Sequence, residues 1–106
     1  MILVIGGRNQ GKSAFVKEEF PDKTAINGFH YIIKKSIEDG ENIEAVIKRV
    51  MEYADIIVCD EIGSGIIPVD KKEDLWREET GRALCEIASK ADEVYRVVAG
   101  IAQKIK

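Results

Sequence analysis

The sequence is poor in the residues from which metal centres and disulfide frameworks are built. Its 106 residues include two cysteines and one histidine. Cys59 and Cys85 lie far apart and outside any C-x-x-C pair. These counts exclude a structural zinc site of the usual four-ligand kind. Both cysteines are therefore predicted to be reduced thiols packed in the interior.

Long apolar runs and blocks of basic residues are also missing. The first apolar run covers only residues 1–5 and has no basic flank, so it predicts neither a signal peptide nor a membrane span, and we expect a cytoplasmic protein. The formal net charge is −3, and without a basic cluster the sequence predicts no binding to nucleic acid or to an anionic membrane. Hydrophobic residues make up 45% and charged residues 33% of the chain, as in an ordinary globular protein of one domain, residues 1–106.

What is present is most informative at the start of the chain. The apolar run Met1-Ile2-Leu3-Val4-Ile5 is typical of a strand buried on both faces. It leads directly into Gly6-Gly7-Arg8-Asn9-Gln10-Gly11-Lys12-Ser13, which fits the phosphate-loop pattern G-x-x-x-x-G-K-[ST]. All eight residues are predicted to bind the phosphates of ATP or GTP.

Each part of this motif has a chemical reason. Glycines let the backbone curl, so that successive N–H groups point at phosphate oxygens. Lys12 is predicted to reach the β- and γ-phosphates, and the Ser13 hydroxyl to ligate Mg²⁺. The alternative is a glycine-rich turn that binds nothing, but the strand before the loop and the helix predicted after it favour a nucleotide site.

A second apolar run, Ile56-Ile57-Val58-Cys59, ends in Asp60-Glu61. A buried strand that is closed by a carboxylate has the form of a Walker B strand, and Asp60 is the predicted second ligand of Mg²⁺. Glu61, one residue further on, is predicted to accept or orient the proton of an attacking hydroxyl. The alternative is a strand that happens to end in charged loop residues.

Hydrophobic spacing and turn residues predict the remaining elements. We expect four helices: over residues 12–20, from Phe29 to the stop at Asp39-Gly40, from the N-cap Asn42 to about Ala54, and over residues 75–91. In the first of them, Ala14, Phe15 and Val16 are predicted to lie towards the sheet. We expect strands over residues 23–26 and 93–98, followed by a short edge strand or tail over residues 101–106. Residues 71–74 are predicted to be a solvated connection. The order β-α-β-α-α-β-α-β predicts an α/β, P-loop NTPase-like three-layer sandwich with a mainly parallel sheet.

Three further features leave alternatives open. Residues 63–70 form either a lid or second-substrate loop or a plain crossover connection. Trp76 either stacks on a nucleotide base or, as we favour, packs half-buried. Gly81 costs a helix about 1 kcal/mol relative to alanine, so close backbone packing is predicted there.

Several segments together carry a more specific pattern. Glu61-Ile62-Gly63-Ser64-Gly65-Ile66-Ile67-Pro68 is similar to E-V-G-x-G-I-V-P, Trp76-Arg77-Glu78 with Gly81-Arg82 is similar to F-R-D-x-x-G-R, and residues 91–101 match A-D-E-V-Y-x-V-V-x-G-I. With the phosphate loop, these segments resemble the adenosylcobinamide kinase/adenosylcobinamide-phosphate guanylyltransferase family. The resemblance covers the start of the chain and its C-terminal half.

The resemblance implies a kinase that transfers phosphate from ATP or GTP to the aminopropanol arm of a cobinamide-type corrinoid. It also implies a homo-oligomer, a trimer in that family, and a charge-neutralising role for Arg77 within the matching motif. Asp60 stands where the family commonly has asparagine. Lys12, Glu61 and Arg77 are thus the predicted catalytic residues.

The centre of the chain departs from the family pattern. The family's His-Arg-x-x-Arg-Pro-like motif, whose histidine takes the guanylyl group, and its Asp-Cys-Leu-type strand are both missing. The single histidine, His30, lacks the flanking arginines and proline and is predicted to have a packing or capping role. The chain therefore looks like a short, internally deleted member in which guanylyl transfer is doubtful. The alternative function is a nucleotide-binding sensor or assembly partner without transferase chemistry, and a weaker one is a bare NTPase coupled to another protein.

Overall fold

A computed structural model describes residues 1–62 and 70–106. In chain order the elements are β1 (Ile2–Gly6), α1 (Lys12–Glu19), β2 (Ala25–Ile26), α2 (Phe29–Glu38), α3 (Ile43–Tyr53), β3 (Ile56–Asp60), α4 (Lys71–Lys90), β4 (Glu93–Val98) and β5 (Ile101–Lys104). The alternation of strands and helices confirms the predicted α/β class, and β5 shows that residues 101–104 form an edge strand, one of the two alternatives for this segment.

The sheet has the strand order β2-β3-β1-β4-β5. The central strand β1 is parallel to β3 and β4, and Gly6 is in register with both Asp60 and Val97. Strand β2 is parallel to β3, whereas β5 pairs antiparallel with β4. Because parallel strands end at the same edge of a sheet, the segment after β1 lies beside the end of β3.

Helices cover both faces of the sheet. Successive residues of β1 point to opposite faces, so Leu3 joins a core beneath α2, α3 and α4, while Val4 packs with Val16 of α1 on the other face. The larger core also takes in the buried side chains of Phe29, Ile33, Val46, Ile57 and Ile87. This arrangement confirms the three-layer sandwich.

The start of α4 differs from the prediction. The helix begins at Lys71 rather than Leu75 because Asp70 is its N-cap, accepting the N–H of Glu73 at 2.7 Å. The charged residues 71–74 therefore form an exposed first turn and not a solvated connection, and the carboxylates of Glu73 and Asp74 are favoured at a helix N-terminus.

Three smaller predictions are wrong. Ala14 is exposed on α1 rather than turned to the sheet. Gly81 is exposed, and among the described residues no atom outside its chain neighbours and the adjacent backbone of its own helix lies within 4 Å of the position that a Cβ would take there. Cys85 is exposed, whereas Cys59 is a buried thiol as predicted, and burial raises the pKa of Cys59 to about 12.

Two remaining points concern the predicted loop over residues 63–70 and membrane-spanning helices. The predicted lid or crossover loop lies, apart from Asp70, outside the described residues. Within the described ranges, no helix has the length and apolar character needed to cross a bilayer.

Candidate nucleotide-binding site

A cavity of about 500 Å³ opens where β1 and β3 end and α1 begins. It is lined by Arg8, Asn9, Gln10, Gly11, Lys12, Ser13, Ala14, Asn27, Gly28, His30, Tyr31, Val58 and Asp60. Six of the eight predicted phosphate-loop residues thus line one cavity together with Asp60. The other two, Gly6 and Gly7, connect β1 to this lining.

A glycine is required at position 6 because strands β1 and β4 approach each other closely there. A Cβ on this residue would overlap the main-chain carbonyl oxygen of Val97 on β4. The corresponding position on Gly7 has only the side chain of Gln10 nearby, at 3.5 Å. The first glycine of the motif therefore lets β1 and β4 pair tightly up to the point where the loop leaves the sheet.

The N-terminus of α1 is left open to an anion. Gly11 is the N-cap with φ 93°, no side chain caps the helix, and its first turn carries no acidic residue. The first helical hydrogen bond runs from the N–H of Phe15 to the Gly11 carbonyl at 3.0 Å, so the N–H groups of the preceding helical residues have no acceptor within the helix. Such a terminus favours a phosphate group.

The side chain of Lys12 crosses the inside of the phosphate loop. Its side chain is 8% exposed, and its Nζ donates to the Gly7 carbonyl at 2.5 Å and lies 2.7 Å from Oδ1 of Asp60. The ion pair compensates the desolvation of the two charges, which would be costly for either group alone. The cation predicted to bind phosphate and the carboxylate predicted to bind metal are therefore direct neighbours.

The residues predicted to bind Mg²⁺ have suitable chemistry. Ser13 and Asp60 line the same cavity and offer a hydroxyl and a carboxylate, the hard oxygen donors that Mg²⁺ prefers. The Ser13 hydroxyl lies 3.3 Å from Oδ1 of Asn27. Residues 1–62 and 70–106 contain no group of three or more metal-ligating side chains. The donor set thus fits an ion that takes its other ligands from water and substrate phosphates.

The other two predicted catalytic residues lie outside the described lining of the cavity. Glu61 is paired with Arg96 of β4, Oε2 to Nη2, at 3.2 Å, and its N–H donates to the Gly6 carbonyl at 2.9 Å. The Nε of Arg77 donates to the carbonyl of Ile62 at 2.9 Å. Both side chains are held close to the end of β3, and their catalytic roles remain predictions.

His30 is brought to the site although its sequence context suggested packing. The side chain is 5% exposed, its Nδ1 accepts the N–H of Asp60 at 3.1 Å, and its Nε2 lies 3.4 Å from Oδ2 of Asp60. Burial lowers the pKa of His30, opposed by the Asp60 carboxylate and assisted by the Lys12 cation. The helical pattern of α2 placed this residue beside buried neighbours but did not indicate its partner.

Trp76 has the packing position that we favoured. Its Nε1 donates to the His30 carbonyl at 2.6 Å, its ring stacks on that of Tyr31 with centroids 6.1 Å apart, and Lys34 lies over its face at 4.9 Å. Trp76 joins α4 to α2 and does not line the cavity.

The turn between β4 and β5 braces the phosphate loop. The side-chain oxygen of Gln10 accepts the N–H of Ala99 at 2.7 Å, and its carbonyl accepts the N–H of Gly100 at 2.8 Å. Ala99 and Gly100 have φ values of 50° and 77°, as in the tight hairpin turns that suit twisted strands. The sequence predicts that the strand ends before this turn but not that the turn contacts the loop. It likewise does not predict that Asn27, at the ligand edge after β2, lines the cavity.

Comparison with protein families adds an independent observation. The family described as cobinamide kinase / cobinamide phosphate guanyltransferase has a model that matches residues 33–105, more than half of the chain. The chain belongs to this family. The phosphate loop precedes the matched residues, so its assignment depends on the motif and on the geometry described above.

Two curated relatives are similar over a shorter segment. The bifunctional adenosylcobalamin biosynthesis proteins CobU of Salmonella typhimurium strain LT2 and Escherichia coli strain K12 are 41% and 39% identical to this chain over 51 residues. The segment is 48% of this chain and 28% of each relative. The chain thus aligns with less than a third of the length of either one.

Proposed function

We propose that this chain is an ATP- or GTP-dependent kinase of the cobinamide kinase type that acts in cobalamin biosynthesis. The observation that carries the proposal is that Lys12, Ser13 and Asp60 meet around one cavity at the ends of β1 and β3, in a chain whose family is named for cobinamide kinase. Phosphoryl transfer depends mainly on positioning and on neutralising charge, which this constellation can supply.

Each residue has a distinct task in the proposed reaction. Lys12 and the N–H groups at the start of α1 hold the phosphates, while Ser13 and Asp60 would hold Mg²⁺, which when bound offsets phosphate charge. The acceptor hydroxyl oxygen forms a bond to the γ-phosphorus as the bond to the β–γ bridging oxygen breaks, and Glu61 takes the hydroxyl proton. Arg77 offsets charge that develops in the transition state.

We further propose that the chain carries out only the kinase step. The relatives are named bifunctional, but the family's His-Arg-x-x-Arg-Pro-like motif is missing from this sequence. The one histidine, His30, is buried and engaged with Asp60 through its Nδ1. An imidazole in that position lacks the exposure that a guanylyl acceptor needs.

The acceptor substrate requires more surface than the cavity provides. About 500 Å³ suits a nucleotide, whereas a corrinoid ring is much larger. We therefore propose a homo-oligomer in which a second subunit completes the corrinoid site. We also propose that the protein acts in the cytoplasm. Light scattering on the purified chain tests this, and a strict monomer at assay concentration would contradict it.

The function is tested by incubating the purified chain with adenosylcobinamide, Mg²⁺ and ATP or GTP labelled at the γ-phosphate. The expected product is a labelled corrinoid phosphate. Lys12→Ala should abolish its formation and weaken triphosphate binding by about 10- to 100-fold, because hydrogen bonds from a charged donor each contribute about 1.5–3 kcal/mol. Lys17→Ala removes an equal charge from an exposed position of the same helix and should leave both measurements unchanged.

The same experiment separates the alternatives. Tight triphosphate binding without a corrinoid product would favour the sensor or assembly role. A chain that binds neither ATP nor GTP would contradict the assignment of the phosphate loop itself.

A further inference from the structure

A buried histidine links α2 to the end of β3. His30 is the second residue of α2 and is 4% exposed. Its Nδ1 accepts the main-chain N–H of Asp60 at 3.1 Å, and its Nε2 lies 3.4 Å from Oδ2 of the same residue. Because Nδ1 is an acceptor, the proton of the neutral ring is on Nε2, which lies near the carboxylate but forms no hydrogen bond among the described residues.

The hydrogen bond to His30 satisfies a main-chain N–H at the end of β3, that of Asp60. Ile56 donates its N–H to the Thr24 carbonyl at 3.0 Å, on the side of β3 that faces β2. Alternate residues of a strand bond to the same side, so the N–H of Asp60 also faces β2, which has already ended at Ile26. His30 supplies the acceptor that this two-residue strand is too short to provide.

Trp76 and Tyr31 are the aromatic neighbours of His30. The carbonyl of His30 accepts the indole N–H of Trp76 at 2.6 Å, and the two rings are stacked at 6.3 Å with an interplanar angle of 28°. The ring of Tyr31 lies 4.1 Å from that of His30 on another side. The ring of His30 thus has two aromatic neighbours, while its main-chain carbonyl joins α2 to α4.

The two oxygens of the Asp60 carboxylate have different neighbours. Oδ1 is paired with Lys12 at 2.7 Å, whereas Oδ2 faces His30 at 3.4 Å. When Lys12 binds phosphate it must give up at least part of its contact with Asp60, and the hydrogen bond from the Asp60 main chain to His30 is then the contact that still fixes this residue. Groups that support a metal ligand in this way fix its orientation and strengthen metal binding.

We propose that His30 is a positioning residue that holds the main chain of Asp60, and through it the carboxylate, in place to bind Mg²⁺ once Lys12 has turned to the phosphates. The inference depends on the proposed function, in which Asp60 is a metal ligand. It differs from that function in concerning a residue to which the proposed reaction assigns no task.

The test measures triphosphate binding to the whole chain by calorimetry, first in EDTA and then across a magnesium titration. His30→Leu keeps a bulky side chain but removes the hydrogen bond to the Asp60 N–H, whereas His30→Asn places an amide oxygen near the position of Nδ1. In EDTA both variants should bind within about threefold of the wild type. The magnesium concentration for half-maximal enhancement should rise about tenfold or more in His30→Leu and recover in part in His30→Asn.

A matched control separates positioning from a loosened helix. Ile33 is fully buried on α2, and Ile33→Val weakens the packing of that helix without changing a contact of Asp60. Its magnesium requirement should equal that of the wild type. An increase equal to that of His30→Leu would overturn the inference, as would a His30→Leu variant with the wild-type requirement.

A measurement on the wild-type chain guards against variants that do not fold. Long-range ¹H–¹⁵N spectra should show a neutral His30 ring protonated on Nε2, and a ring protonated on Nδ1 would overturn the inference. If His30→Leu behaves as the wild type while Asp60→Asn loses the magnesium effect, the proposed function stands and the role of His30 fails. If the wild type binds no triphosphate, both fail.

Discussion

The ammonium group of Lys12 lies 2.7 Å from the carboxylate of Asp60, although 48 positions of sequence, 12 to 60, separate them. The parallel pairing of β1 and β3 creates this contact, because it places Gly6 in register with Asp60. The cation for phosphate is therefore already engaged with an anion. An arriving triphosphate has to compete with Asp60 for Lys12, and a divalent cation that binds Asp60 relieves that competition.

This relationship predicts opposite effects of Asp60→Asn in the absence and presence of magnesium. In EDTA, the variant should bind ATP or GTP about 3- to 10-fold more tightly, because the competing carboxylate is gone and a charged hydrogen bond of this kind contributes on the order of 1 kcal/mol when partly exposed. With magnesium, the enhancement seen in the wild type should be lost. Titration of a fluorescent triphosphate analogue under both conditions measures the two effects.

Asp22→Asn is the charge-matched control for this experiment. Asp22 is exposed in the turn after α1, so its neutralisation should leave both affinities unchanged. If Asp60→Asn weakens binding equally with and without magnesium, Asp60 contributes to the structure of the site and is not a metal ligand.

The contrast between two adjacent glycines gives a second prediction. Gly6→Ala should lower the free energy of unfolding by about 1–3 kcal/mol, because the added methyl group overlaps the Val97 carbonyl and β1 must move away from β4. Gly7→Ala meets only an ordinary contact at 3.5 Å and should change stability by about 0.5 kcal/mol or less. Urea denaturation of the two variants measures the difference. Equal midpoints would mean that β1 and β4 can separate at this point without cost.

The sequence predicts those parts of the site that are formed by residues adjacent to one another in the chain. The spacing from Gly6 to Ser13 specifies a loop, and an apolar run that ends in Asp60 specifies a strand with a carboxylate at its carboxyl end. The α/β order then requires that parallel strands bring both to one edge. Hydrophobic periodicity and local motifs are enough for this much, including the N-cap Asn42, which accepts the N–H of Ala45 at 3.1 Å.

What sequence does not predict are contacts between distant side chains. His30 and Asp60 are 30 residues apart, and Gln10 and Ala99 are 89 apart, so no local pattern relates their positions. The start of α4 was misplaced for a different reason. Residues 71–74 are charged, and an exposed helical turn behind the cap Asp70 has the same composition as a solvated loop.

A final prediction uses the two cysteines as probes of β3. Cys59 is fully buried directly before Asp60, and its pKa is raised to about 12 by burial, so very little of it is in the reactive thiolate form at pH 8. Cys85 is exposed on α4. A thiol reagent such as DTNB should therefore titrate one cysteine in the folded chain and two in guanidinium chloride.

In the folded chain, Cys59 can react only when the end of β3 opens. Its slow reaction therefore reports how often this opening occurs. Cys85→Ser should remove the fast reaction and leave the slow one, which identifies the two sites. Triphosphate with magnesium should slow the reaction of Cys59 further, because a ligand that binds the folded site stabilises it against opening by mass action. A Cys59 reaction as fast as that of Cys85 in the folded chain would show that this strand is not the closed core element described here. A rate unaffected by saturating triphosphate would show that the ligand does not engage the end of β3.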